Sequence, residues 1–156
     1  MQHYRSDVYK ASSSLGYLLK RAQSLLIDHL ETVVAGSDLT FTQWVVLMHL
    51  RDGLALNATT LCSQLRHDSG ALTRVIDQLE ARGLVARERS REDRRAVQLS
   101  VTGAGHQIIE ATIPNVVQML NFALRDFSRA EAAELNRLLN KLIGSLGAEG
   151  TSGAAA

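Results

Sequence analysis

HDSGALTRVIDQLEARGLVARERSREDRRAVQLS, residues 67–100, consists of two unlike halves joined at a glycine. In the first half Leu72, Val75, Ile76 and Leu79 recur at helical spacing and make one buried stripe, while Ser69, Thr73, Arg74, Asp77 and Gln78 share the other face. Asp68 and Ser69 can cap the start of this helix, and Gly83 can close it from the position just past its end, where a left-handed backbone suits glycine. The pattern then changes. Residues 84–87 read as a strand, 90–94 as a turn and 96–99 as a returning strand. Residues 82–95 hold six arginines against Glu88, Glu92 and Asp93, a local excess of +3 in a chain whose net charge is +1. The question is why a small, otherwise helical protein puts its densest charge on a short hairpin.

Working outward, residues 8–34 carry Val8, Ala11, Leu15, Leu18, Ala22, Leu25, Leu26, His29 and Val33 at helical spacing and predict a long amphipathic helix ended by Gly36-Ser37-Asp38. Thr40 and Gln43 read as a capping box for a second helix running to about residue 51, with Leu39 and Trp44 placed as a hydrophobic staple. Asn57 is an N-cap for a third helix to about residue 66. After the hairpin, Thr102 starts a long helix in which Pro114, the only proline, predicts a kink. Ser128 and Glu131 form a second capping box, and Leu135, Leu138, Leu139, Leu142 and Leu146 stripe the last helix.

The fold class that follows is mainly α with a small β-hairpin wing. A winged helix-turn-helix spans about residues 40–100, flanked by long helices at about 8–34 and 102–146. The opening question has an answer in this frame. The two strands form a rigid base, the arginines between them project as a charged finger, and a narrow minor groove attracts inserted arginine. The helix of residues 69–82 is then the reader. Gly70 near its start lets backbone approach a phosphate. Arg74, one turn in, can fork onto a guanine for about 1–3 kcal/mol of discrimination.

Composition narrows the rest. Apolar residues are 46% and charged residues 21% of 156, ordinary for one globular domain with a real core. Arginine, the better fork for phosphates and guanine edges, dominates over lysine, which occurs only at Lys10, Lys20 and Lys141. A single cysteine, Cys62, excludes an internal disulfide framework. No apolar run approaches membrane-spanning length, and residues 1–10 lack the basic start and apolar stretch of a signal peptide, so the expectation is a soluble cytoplasmic protein without a membrane partner. There is no recognisable Ser/His/Asp arrangement, no Gly-rich phosphate loop and no paired carboxylates in a plausible site. The five histidines form no tight ligand cluster. No enzyme, metal or cofactor is expected.

LTFTQWVVLMHL (residues 39–50) and HDSGALTRVIDQLEARGLVARERSREDRRAVQLSVTGAG (residues 67–105) together resemble the MarR family of winged-helix transcriptional regulators. By element order the likeness spans residues 8–146, and it implies a single MarR-like domain over residues 1–146; residues 147–156, GAEGTSGAAA, have nothing to pack and read as a disordered tail. It also implies a homodimer built through the N-terminal and two C-terminal helices, bound to a pseudo-palindromic double-stranded DNA operator. The family pattern puts Ser69, Gly70, Thr73 and Arg74 in the major groove and Arg94 in the minor groove, with Asp93 holding the wing through a neighbouring arginine. Arg87, Arg89, Ser90 and Arg95 would serve phosphates or brace the wing. Many members are repressors released by small, often phenolic or anionic, ligands. Independently of the family, the long terminal helices carry more leucine stripe than one winged helix can cover, which calls for a partner surface.

Some residues have two readings. Arg74 can pair along its own helix with Asp77 or Gln78 instead of reaching DNA. Trp44 and Met48 can line an effector pocket or fill the core. Cys62 can be a redox switch or a small buried residue, and packing is the stronger reading for a cysteine outside the first helix. The function expected is therefore a sequence-specific regulator, a homodimeric repressor released by a small ligand. The alternatives are a winged-helix protein-interaction module or a redox-responsive regulator acting through Cys62.

Overall fold

A computed structural model of the protein describes residues 3–89 and 97–148, the side chains of Arg89 and Ala148 excepted. Two short 3₁₀ turns, Ser6–Val8 and Ala11–Ser13, precede α1 (Leu15–Ala35). Then come α2 (Phe41–Arg51), α3 (Ala58–Leu65), α4 (Ser69–Ala81), β1 (Val85–Arg89), β2 (Val97–Val101), α5 (Gly103–Ala123) and α6 (Arg129–Ala148). The chain divides into two compact units at Met119 and Leu120. Among the described residues, no helix is long and apolar enough to cross a membrane.

The first unit has one core. Val34 of α1, Val46 and Leu47 of α2, Leu61 of α3, Leu72, Ile76 and Leu79 of α4, Val85 of β1 and Ile109 of α5 are all almost fully buried. Each helix contributes one stripe, and the stripe of α4 is the one its spacing predicts. The ends are capped as the sequence predicts. Thr40 and Gln43 close a reciprocal capping box. Asn57 accepts from the Thr60 N–H at 2.8 Å, and Asp68 accepts from the Ala71 N–H at 3.0 Å. Gly83, with φ +68°, sits in the left-handed region. There the Gly83 N–H donates to Glu80 O (2.8 Å) and the Leu84 N–H to Leu79 O (2.9 Å), with Leu79 and Leu84 both buried, which is a Schellman close.

Three boundaries differ from the sequence reading. The first helix starts at Leu15 rather than residue 8, because Ser14 accepts the Tyr17 N–H as an N-cap. Ser13 and Ser14 also donate back to the carbonyls of Lys10 and Ala11, and such local side-chain bonds compete with helix. The strands are Val85–Arg89 and Val97–Val101, shifted toward the C-terminus from 84–87 and 96–99. Leu84 belongs to the cap of α4 and is not free to join the ladder. The last helix runs to Ala148, so residues 147 and 148 are helical and not tail. The remaining tail lies outside the described residues. α5 keeps its helical backbone through Pro114.

β1 and β2 pair antiparallel with Val85 opposite Val101, Arg87 opposite Leu99 and Arg89 opposite Val97. A third backbone element joins them: the Leu99 N–H donates to Leu56 O at 2.8 Å, tying the α2–α3 connection to the hairpin. Thr102 then bonds Gly83 O through its hydroxyl (2.6 Å) and accepts from the Gly105 N–H (3.0 Å), anchoring the start of α5 to the end of α4.

The second unit holds the end of α5 and all of α6. Ser128 and Glu131 form the expected capping box, with Glu131 accepting from the Ser128 N–H (2.8 Å) and Ser128 from the Glu131 N–H (3.2 Å). The Ser128 N–H and hydroxyl, both donating to the Glu131 carboxylate, hold it below its usual pKa. Leu135, Leu138, Ile143 and Leu146 remain exposed along α6.

Candidate nucleic-acid interface

α3 and α4 form the helix-turn-helix. α3 ends at Arg66 in the left-handed region (φ 49°), and two residues later Asp68 caps α4. The positive φ reverses the chain in so few residues that the two helices meet at a tight corner.

The polar face of α4 divides into two halves with different fates. In the N-terminal half Ser69, Gly70, Thr73 and Arg74 are all exposed. The Thr73 hydroxyl donates back to Ser69 O at 2.7 Å, which fixes its rotamer and leaves its lone pairs facing out. The Asp68 carboxylate already occupies the Ala71 N–H. The helix dipole at this end thus already faces one carboxylate of the protein itself.

The C-terminal half is committed to the protein itself. Arg87 of β1 donates to Asp77 Oδ1 at 2.5 Å and also to the Glu80 carboxylate. This raises the pKa of Arg87, the hydrogen bond to Asp77 contributing most, so the group stays charged at any working pH. Gln43 of α2 donates to Gln78 Oε1 at 3.1 Å. Arg82 donates to Asp38 O at 2.6 Å and lies 3.4 Å from the Asp38 carboxylate. The two residues with which Arg74 could have paired along its own helix, Asp77 and Gln78, are both engaged by other elements, and Arg74 has no ion pair among the described residues.

Of the wing residues, Arg89 ends β1 on backbone grounds alone. Ser90, Asp93, Arg94 and Arg95 lie outside the described residues, as do the turn at 90–94 and the side chain of Arg89. Trp44 is 6% exposed and, like Leu39, belongs to the buried core, and Met48 is packed against that core. A cleft of about 290 Å³ in the same unit is lined by Ala35, Asp38, Leu39, Thr40, Gln43 and Arg82. Cys62 is half-buried against the core. Among the described residues no three His, Cys, Asp or Glu side chains gather as a metal site.

Sequence reasoning missed the partners on the far half of α4. Asp38, Glu80 and Arg82 belong to no motif, and Gln43 reads only as half of a capping box. The one available sign was spacing: Arg87 lies four residues past the glycine that ends α4, close enough for its long side chain to return to the last turn.

A model of the MarR family matches residues 37–96. The multiple antibiotic resistance protein MarR of Escherichia coli is 30% identical over 139 residues, covering 88% of this chain and 96% of that protein. The chain belongs to the MarR family. A second MarR-family relative, the transcriptional regulator SarZ of Staphylococcus haemolyticus, is 30% identical over 139 residues, covering 89% of this chain and 90% of SarZ. A variant of E. coli MarR solved in complex with operator DNA superimposes with a TM-score of 0.75 at 29% identity, over 88% of this chain and 99% of that one. Bordetella bronchiseptica BpsR, solved to explain regulation of its DNA binding by 6-hydroxynicotinic acid, superimposes with a TM-score of 0.76 at 30% identity, over 86% and 96% of the two chains. Members of the MarR family are transcription regulators and not enzymes. This chain, with the same winged-helix fold, is a DNA-binding regulator.

Proposed function

We propose that the protein is a homodimeric repressor of a pseudo-palindromic operator, acting in the cytoplasm and released by a small phenolic or anionic ligand. Ser69, Gly70, Thr73 and Arg74 meet base edges and backbone in the major groove. Arg94 enters the minor groove, Asp93 shapes the wing, and Arg87, Arg89, Ser90 and Arg95 serve phosphates or brace the wing. The observation that carries this reading is the division of α4: its exposed half holds the base-reading residue types, and its other half is anchored on α2 and β1. A reader held rigidly at one end presents the other at a fixed angle to the groove.

The test is a gel-shift titration on DNA upstream of the protein's own gene against a scrambled probe, with footprinting and a salt series. The expected result is specific binding to an inverted repeat. The affinity should fall with salt at a log–log slope of about −0.9 per phosphate neutralised. Equal binding to both probes would overturn the specific-operator reading, and no binding to either would favour a protein-interaction module.

The dimer rests on exposed apolar surface. Leu15, Leu18, Leu25 and Leu26 of α1 are exposed, and so are Leu135, Leu138, Ile143 and Leu146 of α6. A soluble protein covers surface of this kind with a partner, and a second copy satisfies a two-fold operator. Sedimentation should give twice the chain mass. Leu138→Glu should shift the protein to monomer and lose operator binding, with circular dichroism unchanged. A Leu138→Glu protein that stays dimeric would remove α6 from the interface.

The ligand reading leans on relatives. BpsR is regulated by an aromatic acid, and a pyridine or benzene carboxylate is the first class to screen for operator release.

A further inference from the structure

We propose that Arg87 is a positioning residue: by clamping Asp77 and Glu80 it sets the angle at which the β1–β2 hairpin leaves the reader helix. The proposal rests on the DNA-binding reading above and, of the two roles open to Arg87, a phosphate contact or a brace for the wing, takes the brace.

Three observations carry it. First, the guanidinium of Arg87 is bonded to two carboxylates at once, Asp77 and Glu80, which lie three residues apart on one face of α4. A planar fork held by two acceptors has a fixed direction, which a lysine could not supply. Second, the hairpin needs such a fixture. Its base is held in the core by Val85 and Leu99, but next along β1 Ala86 is only partly buried and Arg87 is exposed. Arg87 is therefore the outermost described attachment of the hairpin to α4 before the chain runs into residues 90–96. Third, the charges make little sense otherwise. Asp77 and Glu80 with Arg87 sum to −1 on the helix meant to face a polyanion, and as free carboxylates they would repel phosphate. Paired carboxylates that fix the wing repay that repulsion in geometry. The pair is too exposed to matter much for stability, with Arg87 32%, Asp77 55% and Glu80 39% exposed.

This predicts a sign that simple electrostatics does not. Removing two negative charges beside DNA should tighten binding if Arg87 serves phosphates, because the arginine is then released toward them. If Arg87 is the brace, the Asp77→Asn, Glu80→Gln double variant should bind the operator about tenfold more weakly. Hydroxyl-radical footprinting should show lost protection in the flanking minor grooves. Methylation protection at guanine N7 in the major groove should persist, a split that general destabilisation would not produce. Arg87→Gln should give the same pattern, and the triple variant should be no worse than either, as expected for residues acting as one unit. Exchange of charges, Arg87→Asp with Asp77→Arg, should recover part of the minor-groove protection even if the single changes perturb folding. Binding of the double acid variant that equals or exceeds the wild type, with Arg87→Gln weakened, would overturn the brace and restore the phosphate contact. Failure of the wild-type protein to select any sequence from random duplex DNA would overturn the DNA-binding reading itself, a separate result.

Discussion

Arg74→Ala should weaken specific operator binding by about 1–3 kcal/mol at each half-site, roughly 5- to 150-fold, and should relax the requirement for one base pair there. The magnitude follows from what the side chain is free to do. Arg74 is exposed, one turn into α4, beside Thr73. It makes no ion pair with Asp77 among the described residues, where Arg87 holds Asp77 and Gln43 holds Gln78. Losing Arg74 therefore costs the fold little, within about 0.5 kcal/mol for an exposed surface site, and the loss appears in binding. Arg74→Lys separates charge from shape. It keeps the cation but not the two-pronged donor, so it should retain most non-specific affinity and the salt slope while losing base discrimination. The measurement is a titration of the three proteins against the operator and its single-base-pair substitutions. Uniform weakening of Arg74→Ala across all sequences would make Arg74 a phosphate contact, and unchanged binding would remove it from the interface.

How much of this was legible in the sequence depends on the range of the interaction. Helix ends were readable because capping is local. Thr40 with Gln43, Asn57, Asp68 and Ser128 with Glu131 each bond a backbone group within three residues, and all do so in the structure. The buried stripe of α4 was readable because it is periodic. The start of α1 was misread because Val8 and Ala11 fit the helical period, while Ser13 and Ser14 offered the backbone another set of partners. Strand limits slipped because Leu84 fits a strand by type but is held by the cap of α4. The Leu56–Leu99 bond, joining residues far apart in sequence, was invisible.

For the candidate site the same division holds. The four exposed residues of the N-terminal half of α4 were found by face and residue type. What gives them their meaning is tertiary: the partners of Asp77, Gln78, Glu80 and Arg82, which lie on α2, β1 and the α1–α2 corner. That corner also reaches α5, where the buried Thr112 hydroxyl and the Ser37 hydroxyl are hydrogen-bonded at 2.6 Å. Neighbouring residues 37 and 38 thus touch α5 and α4 respectively, an arrangement no one-dimensional pattern encodes. Trp44 shows the limit from the other side. Core and pocket wall draw on the same residue types, and it is the tertiary packing, not the residue type, that buries Trp44.

Gly105→Ala should be the most damaging small substitution in the hairpin–α5 joint, although local propensity argues the reverse. Residue 105 lies in the first turn of α5, where alanine is favoured over glycine by about 1 kcal/mol. Its neighbour Gly103 provides the control, since a Cβ built there meets nothing within 4 Å. At Gly105 a Cβ would fall 2.2 Å from Leu84 O and 2.7 Å from Val101 Cγ1. The valine methyl can rotate away, but the carbonyl has nowhere to go. Leu84 is buried, its N–H is bonded to Leu79 O, and its carbonyl accepts the Thr102 N–H at 3.1 Å. Relieving the clash means prising α5 away from the hairpin and breaking the bonds that Thr102 makes to Gly83 and Leu84. Overpacking costs about 1–3 kcal/mol, and a clash with a fixed carbonyl belongs at the upper end, about 3 kcal/mol, which outweighs the propensity gain. The net loss of about 2 kcal/mol should lower Tm by roughly 4–8 °C in a chain of this size. Gly103→Ala should raise Tm by about 2–4 °C through propensity alone. Calorimetry on the two variants decides between packing and propensity. Stabilisation by both would mean that α5 does not approach Leu84 so closely, and destabilisation by both would locate the need for glycine in the backbone of the turn.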